Sequence, residues 1–165
     1  MRKVGIISDT HGFWDERYEH YMGELDEIWH AGDIGSTELA ERFEAMKPHF
    51  RAVCGNCDGG GLRLMYPETL RFKCEKMNVL MKHIGGYPGK YDPSIRQNIM
   101  DNPPQLFISG HSHILRVKYD SQLGLLHINP GAAGLQGWQL ERTLVRITVN
   151  GDHVEDCEVV KLGKS

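Results

Sequence analysis

Val4-Gly5-Ile6-Ile7-Ser8-Asp9-Thr10-His11, close to the start of the chain, joins a short apolar run to two side chains that bind metals well. β-Branched residues in a run of this length are typical of a buried parallel strand, which we predict over Val4–Ser8. In α/β proteins, sites are built where such strands end. The stretch therefore predicts an α/β fold with a candidate site at one edge of a sheet.

Alternating apolar and helical patterns continue through the first third of the chain. We predict a helix over Asp15–Leu25, a strand over Glu27–His30, a helix over Thr37–Met46 with Ser36 as its N-cap, and a strand over Phe50–Cys54. This order of strands and helices predicts parallel strands with right-handed crossovers.

The second part of the chain favours hairpins. The predicted pairs are Thr69–Cys74 with Met77–Ile84, Arg116–Asp120 with Leu125–Asn129, and Thr143–Val149 with His153–Val160, the last joined by a turn at Asn150-Gly151. A helix over Pro93–Asp101 and a strand over Leu106–Ser109 lie between them, and the glycine-rich stretches 59–61 and 85–89 are predicted to be flexible loops. We expect one domain over residues 1–165, a four-layer α/β/β/α sandwich of two mixed sheets flanked by helices.

Size and composition exclude several classes of protein. A chain of 165 residues with 40% hydrophobic and 25% charged residues is typical of one globular domain. Its net charge of −3 gives no strong signal for nucleic-acid binding. No apolar stretch reaches the roughly 20 residues that span a membrane, and the N-terminus lacks the pattern of a secretory signal. We therefore expect a cytoplasmic protein without membrane contact, and the sequence leaves open whether it forms a homo-oligomer.

Seven candidate metal ligands follow predicted strands in the order D-T-H, G-D, G-N-C-D, a lone H and G-H-S-H. They are Asp9, His11, Asp33, Asn56, His83, His111 and His113. Oxygen and imidazole ligands suit Mn²⁺, our first choice, and also Zn²⁺, Fe²⁺, Co²⁺ or Ni²⁺ rather than Ca²⁺. Seven exceed the roughly four to six ligands of one ion, so we expect two divalent ions.

These motifs, in this order from Val4 to Gly134, resemble those of the calcineurin-like metallophosphoesterases, and more narrowly the small single-domain phosphodiesterases of that superfamily. The resemblance implies that Asp9, His11 and His113 hold one metal, that Asn56, His83 and His111 hold the other, and that Asp33 bridges them. It also implies hydrolysis of a small phosphate-ester substrate by a metal-bridging hydroxide without a protein nucleophile. Asp33, Asn56, Asp58 and His111 are the residues expected to have catalytic roles.

The sequence departs from the family pattern at three positions. Cys57 stands where many relatives have a histidine thought to protonate the leaving group, so that role is unassigned and Asp58 is expected to orient a neighbouring ligand or water. No arginine follows Gly32-Asp33, and both departures favour a phosphodiesterase over a monoesterase. His83 is followed by Ile84 rather than glycine.

Neither Ser8 nor Ser109 has a partner base that the sequence implies.

Two other functions remain open. A subunit of the retromer complex has this fold and serves chiefly for protein contacts, so a metal-binding interaction scaffold is the main alternative, although all seven ligand positions are intact here. Cys54 and Cys57 could instead form a redox pair, but Cys54 ends an apolar strand and is more simply a buried thiol. Of the other histidines, we expect His30 and His127 in the core and His20, His49 and His153 at the surface.

Overall fold

Two five-stranded sheets pack face to face in the computed structural model, which describes residues 1–164. The strands are β1 (Arg2–Ile7), β2 (Glu27–His30), β3 (His49–Ala52), β4 (Thr69–Cys74), β5 (Met77–Lys82), β6 (Gly86–Tyr87), β7 (Lys90–Tyr91), β8 (Leu106–Ile108), β9 (Arg116–Asp120), β10 (Leu125–Asn129), β11 (Arg142–Asn150) and β12 (His153–Gly163). The helices are α1 (Glu16–Met22), α2 (Thr37–Glu44), α3 (Gly60–Met65) and α4 (Pro93–Asp101).

Each sheet is mixed, as predicted. The first has the order β12-β11-β1-β2-β3 and the second β4-β5-β8-β10-β9. Strands β1, β2 and β3 run parallel, as do β5, β8 and β10, while the remaining pairs are antiparallel. The parallel strands therefore bring their carboxyl ends to one rim of the sandwich, where the candidate ligands follow them.

Three apolar clusters separate the four layers and confirm the predicted α/β/β/α order. Tyr18 and Phe43 belong to the cluster between the first sheet and helices α1 to α3. Trp29 and Met81 lie in the cluster between the two sheets. Phe107 belongs to the third cluster, between the second sheet and α4. Each sheet thus buries both faces, which fixes its strands as a rigid support for the loops at the rim.

Several local predictions were wrong. The stretch predicted as a loop at 59–61 begins helix α3, because burial of Leu62 against the first cluster stabilises a turn that glycine alone disfavours. The stretch 85–89 forms β6 and the turn to β7. The turn before β12 consists of Gly151 and Asp152, since Asn150 pairs with His153.

The C-terminal hairpin belongs to the first sheet, although it comes from the hairpin-rich second part of the chain. Strand β11 pairs antiparallel with β1 and so extends the first sheet.

The two helices α1 and α2 are shorter than predicted, ending at Met22 and Glu44. Between residues 1 and 164, the longest helix, α4, has nine residues, and none is long and apolar enough to cross a membrane.

Candidate metal centre

The seven candidate ligands follow the carboxyl ends of five parallel strands and meet at one rim of the sandwich. Two backbone hydrogen bonds join the first two loops, from Asp9 N–H to the Gly32 carbonyl and from His11 N–H to the Asp33 carbonyl, each 3.0 Å long. A third, of 2.9 Å from Gly110 N–H to the His83 carbonyl, joins the two loops of the second sheet. The backbone thus holds the loops in register before any side chain contributes.

Left-handed backbone conformations are concentrated in these loops. Within residues 1–164, six residues other than glycine have positive φ: Asp9 (55°), His11 (46°), Asp33 (57°), His111 (68°), His113 (63°) and, in the β4–β5 turn, Glu75 (53°). Five of these six are candidate ligands. Side chains disfavour this region, and residues held in it cluster where function requires a particular geometry.

The first cluster consists of Asp9, His11 and His113. The Oδ1 atom of Asp9 lies 3.1 Å from Nε2 of His113 and 3.7 Å from Nε2 of His11. The other carboxylate oxygen of Asp9 accepts hydrogen bonds from the Ser8 hydroxyl, at 2.7 Å, and from His111 N–H, at 3.2 Å. Asp9 is therefore fixed through one oxygen and presents the other to the two imidazoles.

The second cluster consists of Asp33, His83 and His111. The Nε2 atom of His83 lies 3.1 Å from Oδ2 of Asp33, and its Nδ1 lies 2.8 Å from the Ala31 carbonyl oxygen. The bond to Ala31 places the proton on Nδ1 and leaves Nε2 available to a ligand. Asn56 joins this cluster, with its Oδ1 3.1 Å from Nδ1 of His111.

Asp33 lies between the two clusters. Its Oδ2 is 3.7 Å from Nε2 of His11 in the first cluster and 3.1 Å from Nε2 of His83 in the second. Its Oδ1 accepts a 2.8 Å hydrogen bond from Cys57 N–H. A Cβ on Gly55 would overlap Asp33, so glycine at position 55 permits this close approach of the two loops.

Buried polar atoms without hydrogen-bond partners are concentrated at the candidate ligands. Four buried side-chain atoms within residues 1–164 have no hydrogen-bond partner, and three belong to candidate ligands: Asp9 Oδ1, His11 Nε2 and His83 Nε2. Buried polar atoms without a partner are costly, so such a group requires a specific explanation. Carboxylate and imidazole atoms converging without other partners are the donor set that a divalent transition metal would satisfy.

The carboxylates and imidazoles of the site shift each other's pKa values. Burial acts to raise the pKa of Asp9, but the His11 and His113 imidazoles outweigh it and hold that pKa well below its ordinary value. Burial also opposes ionisation of Asp33, yet His83 keeps its pKa lowered. For His113 the contact with Asp9 is the largest effect and raises the pKa. Without metal the ionised carboxylates therefore favour protonated imidazoles beside them, and metal binding would displace those protons.

Cys57 was not predicted as a ligand, although the structure brings it to the site. Its Sγ, a nitrogen of His11 and an oxygen of Asp33 all lie within 4.8 Å of one another. Burial, followed by the neighbouring Asp33 carboxylate, raises the pKa of this thiol. The position of Cys57 beside Asn56 in the G-N-C-D loop was the only signal in the sequence, and it did not reveal which way the side chain points.

Asp58 lies beneath the site rather than on its surface. The side chain is 3% exposed. Its Oδ2 accepts hydrogen bonds from the backbone N–H groups of Gly55, at 2.8 Å, and Asp33, at 3.1 Å, and its Oδ1 accepts one from Gly35, at 3.0 Å. Because both oxygens bind backbone, Asp58 ties the Asp33 loop to the Asn56 loop, a geometry that suits the expected orientation of a neighbouring ligand.

Ser109 has a histidine neighbour that the sequence did not imply. Its hydroxyl lies 2.8 Å from Nε2 of His127. Both side chains are nearly inaccessible, and Nδ1 of His127 has no partner that could orient the ring as the acid of a catalytic triad does. Ser8 donates to Asp9 instead. Neither serine has the accessible, base-activated hydroxyl of a nucleophile.

The remaining histidines and cysteines lie where the sequence placed them. His30 and His127 are buried in strands, and His20, His49 and His153 are exposed. Cys54 is buried and Cys57 exposed, and both thiols are free. The buried position of Cys54 agrees with its interpretation as a core thiol.

Comparison with known proteins identifies the family. The calcineurin-like phosphoesterase superfamily domain matches residues 2–152. The chain belongs to this superfamily. Among curated proteins, none matches the sequence.

Three solved structures share the fold of this chain over almost their whole length. An archaeal phosphodiesterase is 20% identical, with a TM-score of 0.75 and coverage of 97% of this chain and 99% of that chain. Wild-type Vps29 from Entamoeba histolytica, in complex with Zn²⁺, is 17% identical, with a TM-score of 0.73 and coverage of 96% and 98%. A predicted phosphoesterase from Streptococcus pneumoniae is 18% identical, with a TM-score of 0.66 and 97% coverage of both chains.

Proposed function

We propose that this chain is a phosphodiesterase that uses two divalent ions, with Mn²⁺ the first candidate and Zn²⁺, Fe²⁺, Co²⁺ and Ni²⁺ the others. The observation that carries the proposal is the convergence of three buried atoms without hydrogen-bond partners, on Asp9, His11 and His83. Metal coordination would satisfy all three at once. The superfamily of the chain supports phosphate esters as the substrates.

The distances favour a division of the ligands into two sets. Asp9, His11 and His113 would hold one ion, and Asn56, His83 and His111 the other. Asp33 would serve both, because its Oδ2 lies close to a histidine of each set. When bound, the ions supply Lewis acidity for the phosphoryl oxygens and lower the pKa of water.

The chain's own residues contribute position and charge. The Ala31 carbonyl orients the ring of His83, and Gln139 Oε1, 2.9 Å from Nδ1 of His113, orients the second ring. Two carboxylates offset only part of the charge of two divalent ions, so the loaded site stays electropositive and attracts an anionic ester. Asp58 keeps the Asp33 and Asn56 loops at a fixed separation.

The neighbouring side chains favour a diester over a monoester. The residue after Asp33 is the buried Ile34, which cannot pair with the additional charge of a monoester as arginine would. At the position of the usual histidine, Cys57 offers only a thiol, which would tend to ionise beside divalent ions and so would not hold a proton for a departing oxygen. Substrates with good leaving groups are therefore expected.

Metal analysis combined with hydrolysis of bis(p-nitrophenyl) phosphate tests the proposal. Purified protein should contain two equivalents of a divalent ion and release p-nitrophenolate, and chelation should abolish the reaction. Stoichiometric metal without hydrolysis of this diester would instead favour the second candidate, a metal-binding interaction scaffold. Exposed Trp138 and Leu140, on the loop whose Gln139 contacts His113, are the observation that favours that candidate.

A further inference from the structure

A cavity of about 190 Å³ opens beside the metal centre. His111, a candidate ligand, is part of its wall, so the cavity is continuous with the site. Ile84, Tyr87 and Ile114 form its apolar sides. Besides His111, two basic side chains line it, Arg116 and His127. Nothing in the proposed metal chemistry uses these two residues.

Arg116 lies in the cavity without a counterion. Its guanidinium carbon lies 4.4 Å from the centre of the Tyr87 ring. Within residues 1–164 it forms neither an ion pair nor a hydrogen bond with a carboxylate. Stacking on an aromatic ring holds the guanidinium plane while leaving the N–H groups at its edge available to an anion.

His127 is a second polar side chain in the cavity wall. The side chain is 1% exposed, and its Nδ1 is the fourth buried atom without a partner. The Ser109 hydroxyl oxygen lies 2.8 Å from Nε2 of His127, so these two buried side chains share a hydrogen bond. Burial, and then the charge of Arg116, lower the pKa of His127 to about 4, so the ring stays neutral at pH 7.

Asp92 is the one carboxylate that lines the cavity, and it is already engaged. Its Oδ2 accepts hydrogen bonds from the backbone N–H of Ser94, at 3.0 Å, and from the Ser94 hydroxyl, and so caps α4. The Asp92 carboxylate is thus held at the start of α4 rather than on Arg116, and its negative charge remains in the cavity wall.

We propose that this cavity binds a second anionic group of the substrate, so that the preferred diester carries a carboxylate or a phosphate on one of its two alcohols. The proposal rests on the proposed phosphodiesterase function. The volume lies below the roughly 300 Å³ at which pockets for drug-sized ligands begin, so the cavity suits a short substituent. The isoleucines would contact the carbon atoms that join the two anionic groups.

Three matched substrates test this selectivity: p-nitrophenyl ethyl phosphate, p-nitrophenyl 2-carboxyethyl phosphate and p-nitrophenyl 2-phosphonoethyl phosphate. Wild-type protein should prefer at least one anionic ester over the ethyl ester in kcat/KM, and the two anionic arms separate carboxylate from phosphate recognition. Arg116→Met should reduce this preference by about 10-fold, as expected for the loss of one charge-assisted hydrogen bond. Arg116→Lys, which keeps the charge but not the planar fork, should give an intermediate value.

Lys118→Met is the matched control, because Lys118 is exposed two residues further along β9 and does not line the cavity. It removes the same charge and should retain the preference. Equal kcat/KM for all three esters in wild-type protein, or an equal loss in both methionine variants, would overturn the proposal.

A binding measurement separates failure of this inference from failure of the proposed function. Chelator-treated protein is titrated with propylphosphonate and with butyrate, and the ¹⁵N signals of the His127 ring are followed. A saturable shift in wild-type protein that is lost in Arg116→Met supports the cavity as an anion site even if no diester is hydrolysed. Absence of a shift in wild-type protein, or the same shift in Arg116→Met, refutes it.

Discussion

The Nε2 atom of His83 lies 3.1 Å from Oδ2 of Asp33, although the two residues belong to different sheets. Asp33 follows β2 of the first sheet, and His83 follows β5 of the second. The contact therefore forms only when the two sheets pack against each other. The candidate metal centre is a product of the complete sandwich, and metal binding and folding stability should be linked.

Asp33→Ala should remove at least one of two bound ions and abolish hydrolysis, because Asp33 is the carboxylate shared by both clusters. Elemental analysis of wild-type and variant protein measures the stoichiometry. Asp156→Ala, which removes an exposed acid on β12, is the control and should keep both ions. One ion in the wild type and an unchanged content in Asp33→Ala would contradict the shared role.

Chelation should abolish phosphodiesterase activity and lower the melting temperature, and added Mn²⁺ should restore both, because the ion satisfies the buried atoms of Asp9, His11 and His83. Single-turnover hydrolysis in ¹⁸O-labelled water should place the label in the phosphate product, since no serine of the site is an accessible nucleophile. Isolation of a covalent phospho-enzyme would refute direct attack by water.

Gly55→Ala should weaken metal binding, because the added methyl group would overlap the Asp33 carboxylate and its backbone nitrogen. Displacement of residues that support a ligand typically costs about 10- to 100-fold in metal affinity. Isothermal titration with Mn²⁺ measures the change. Gly60→Ala is the matched control, since a Cβ at that position meets open space; equal affinities in both variants would show that the close approach is unimportant.

Substitutions at Cys57 test whether a side chain protonates the leaving group. If no side chain donates a proton, rates should depend steeply on the leaving-group pKa, and Cys57→Ala should change this dependence little. Cys57→His should selectively accelerate esters with poor leaving groups, since a positioned general acid contributes about 10²- to 10⁴-fold. Cys157→Ala, which removes another exposed thiol, is the control.

The measurement is a series of aryl and alkyl phosphodiesters on wild-type protein and these variants. A shallow dependence in the wild type that becomes steep in Cys57→Ala would mean that the thiol donates the proton.

His127 should make the stability of the metal-free protein depend on pH. Burial, with a smaller effect of Arg116, lowers its pKa from 6.5 to about 4. The unfolded chain binds more protons between these values, so the free energy of unfolding is highest above pH 6.5 and falls as the pH decreases toward 4. The loss from this residue is about 3 kcal/mol once it is complete.

His127→Phe keeps an aromatic ring beside Phe107 and should remove this part of the pH dependence. Urea denaturation of chelator-treated protein over the same pH range measures it, with the exposed His153→Phe as control. The same slope in wild type and His127→Phe would show that His127 does not titrate on unfolding.

The sequence was most informative where apolar runs and ligand motifs coincide. Strand β1 and the Asp9-Thr10-His11 motif that follows it could be recognised together, because burial of a parallel strand on both faces requires a continuous apolar run. It was least informative in glycine-rich stretches. Whether such a stretch is a loop depends on which neighbouring side chain becomes buried, as Leu62 does in α3.

The sequence could not reveal contacts between residues that are distant along the chain. The pair Ser109 and His127 is separated by 18 positions and forms because β8 and β10 are adjacent in the second sheet. In the same way, the C-terminal hairpin joins the first sheet through β1, although local patterns describe only its two strands and turn.

Periodicity and residue type are local properties, and they were enough to predict the α/β class, the four-layer order and the seven candidate ligands. Three relationships became visible only in the folded chain: Asp33 lies between two clusters, Asp58 binds backbone beneath them, and Cys57 faces the site. These relationships depend on distances between loops of different strands and sheets. Such distances are set by how the sheets and helices pack, and no local pattern in the sequence contains them.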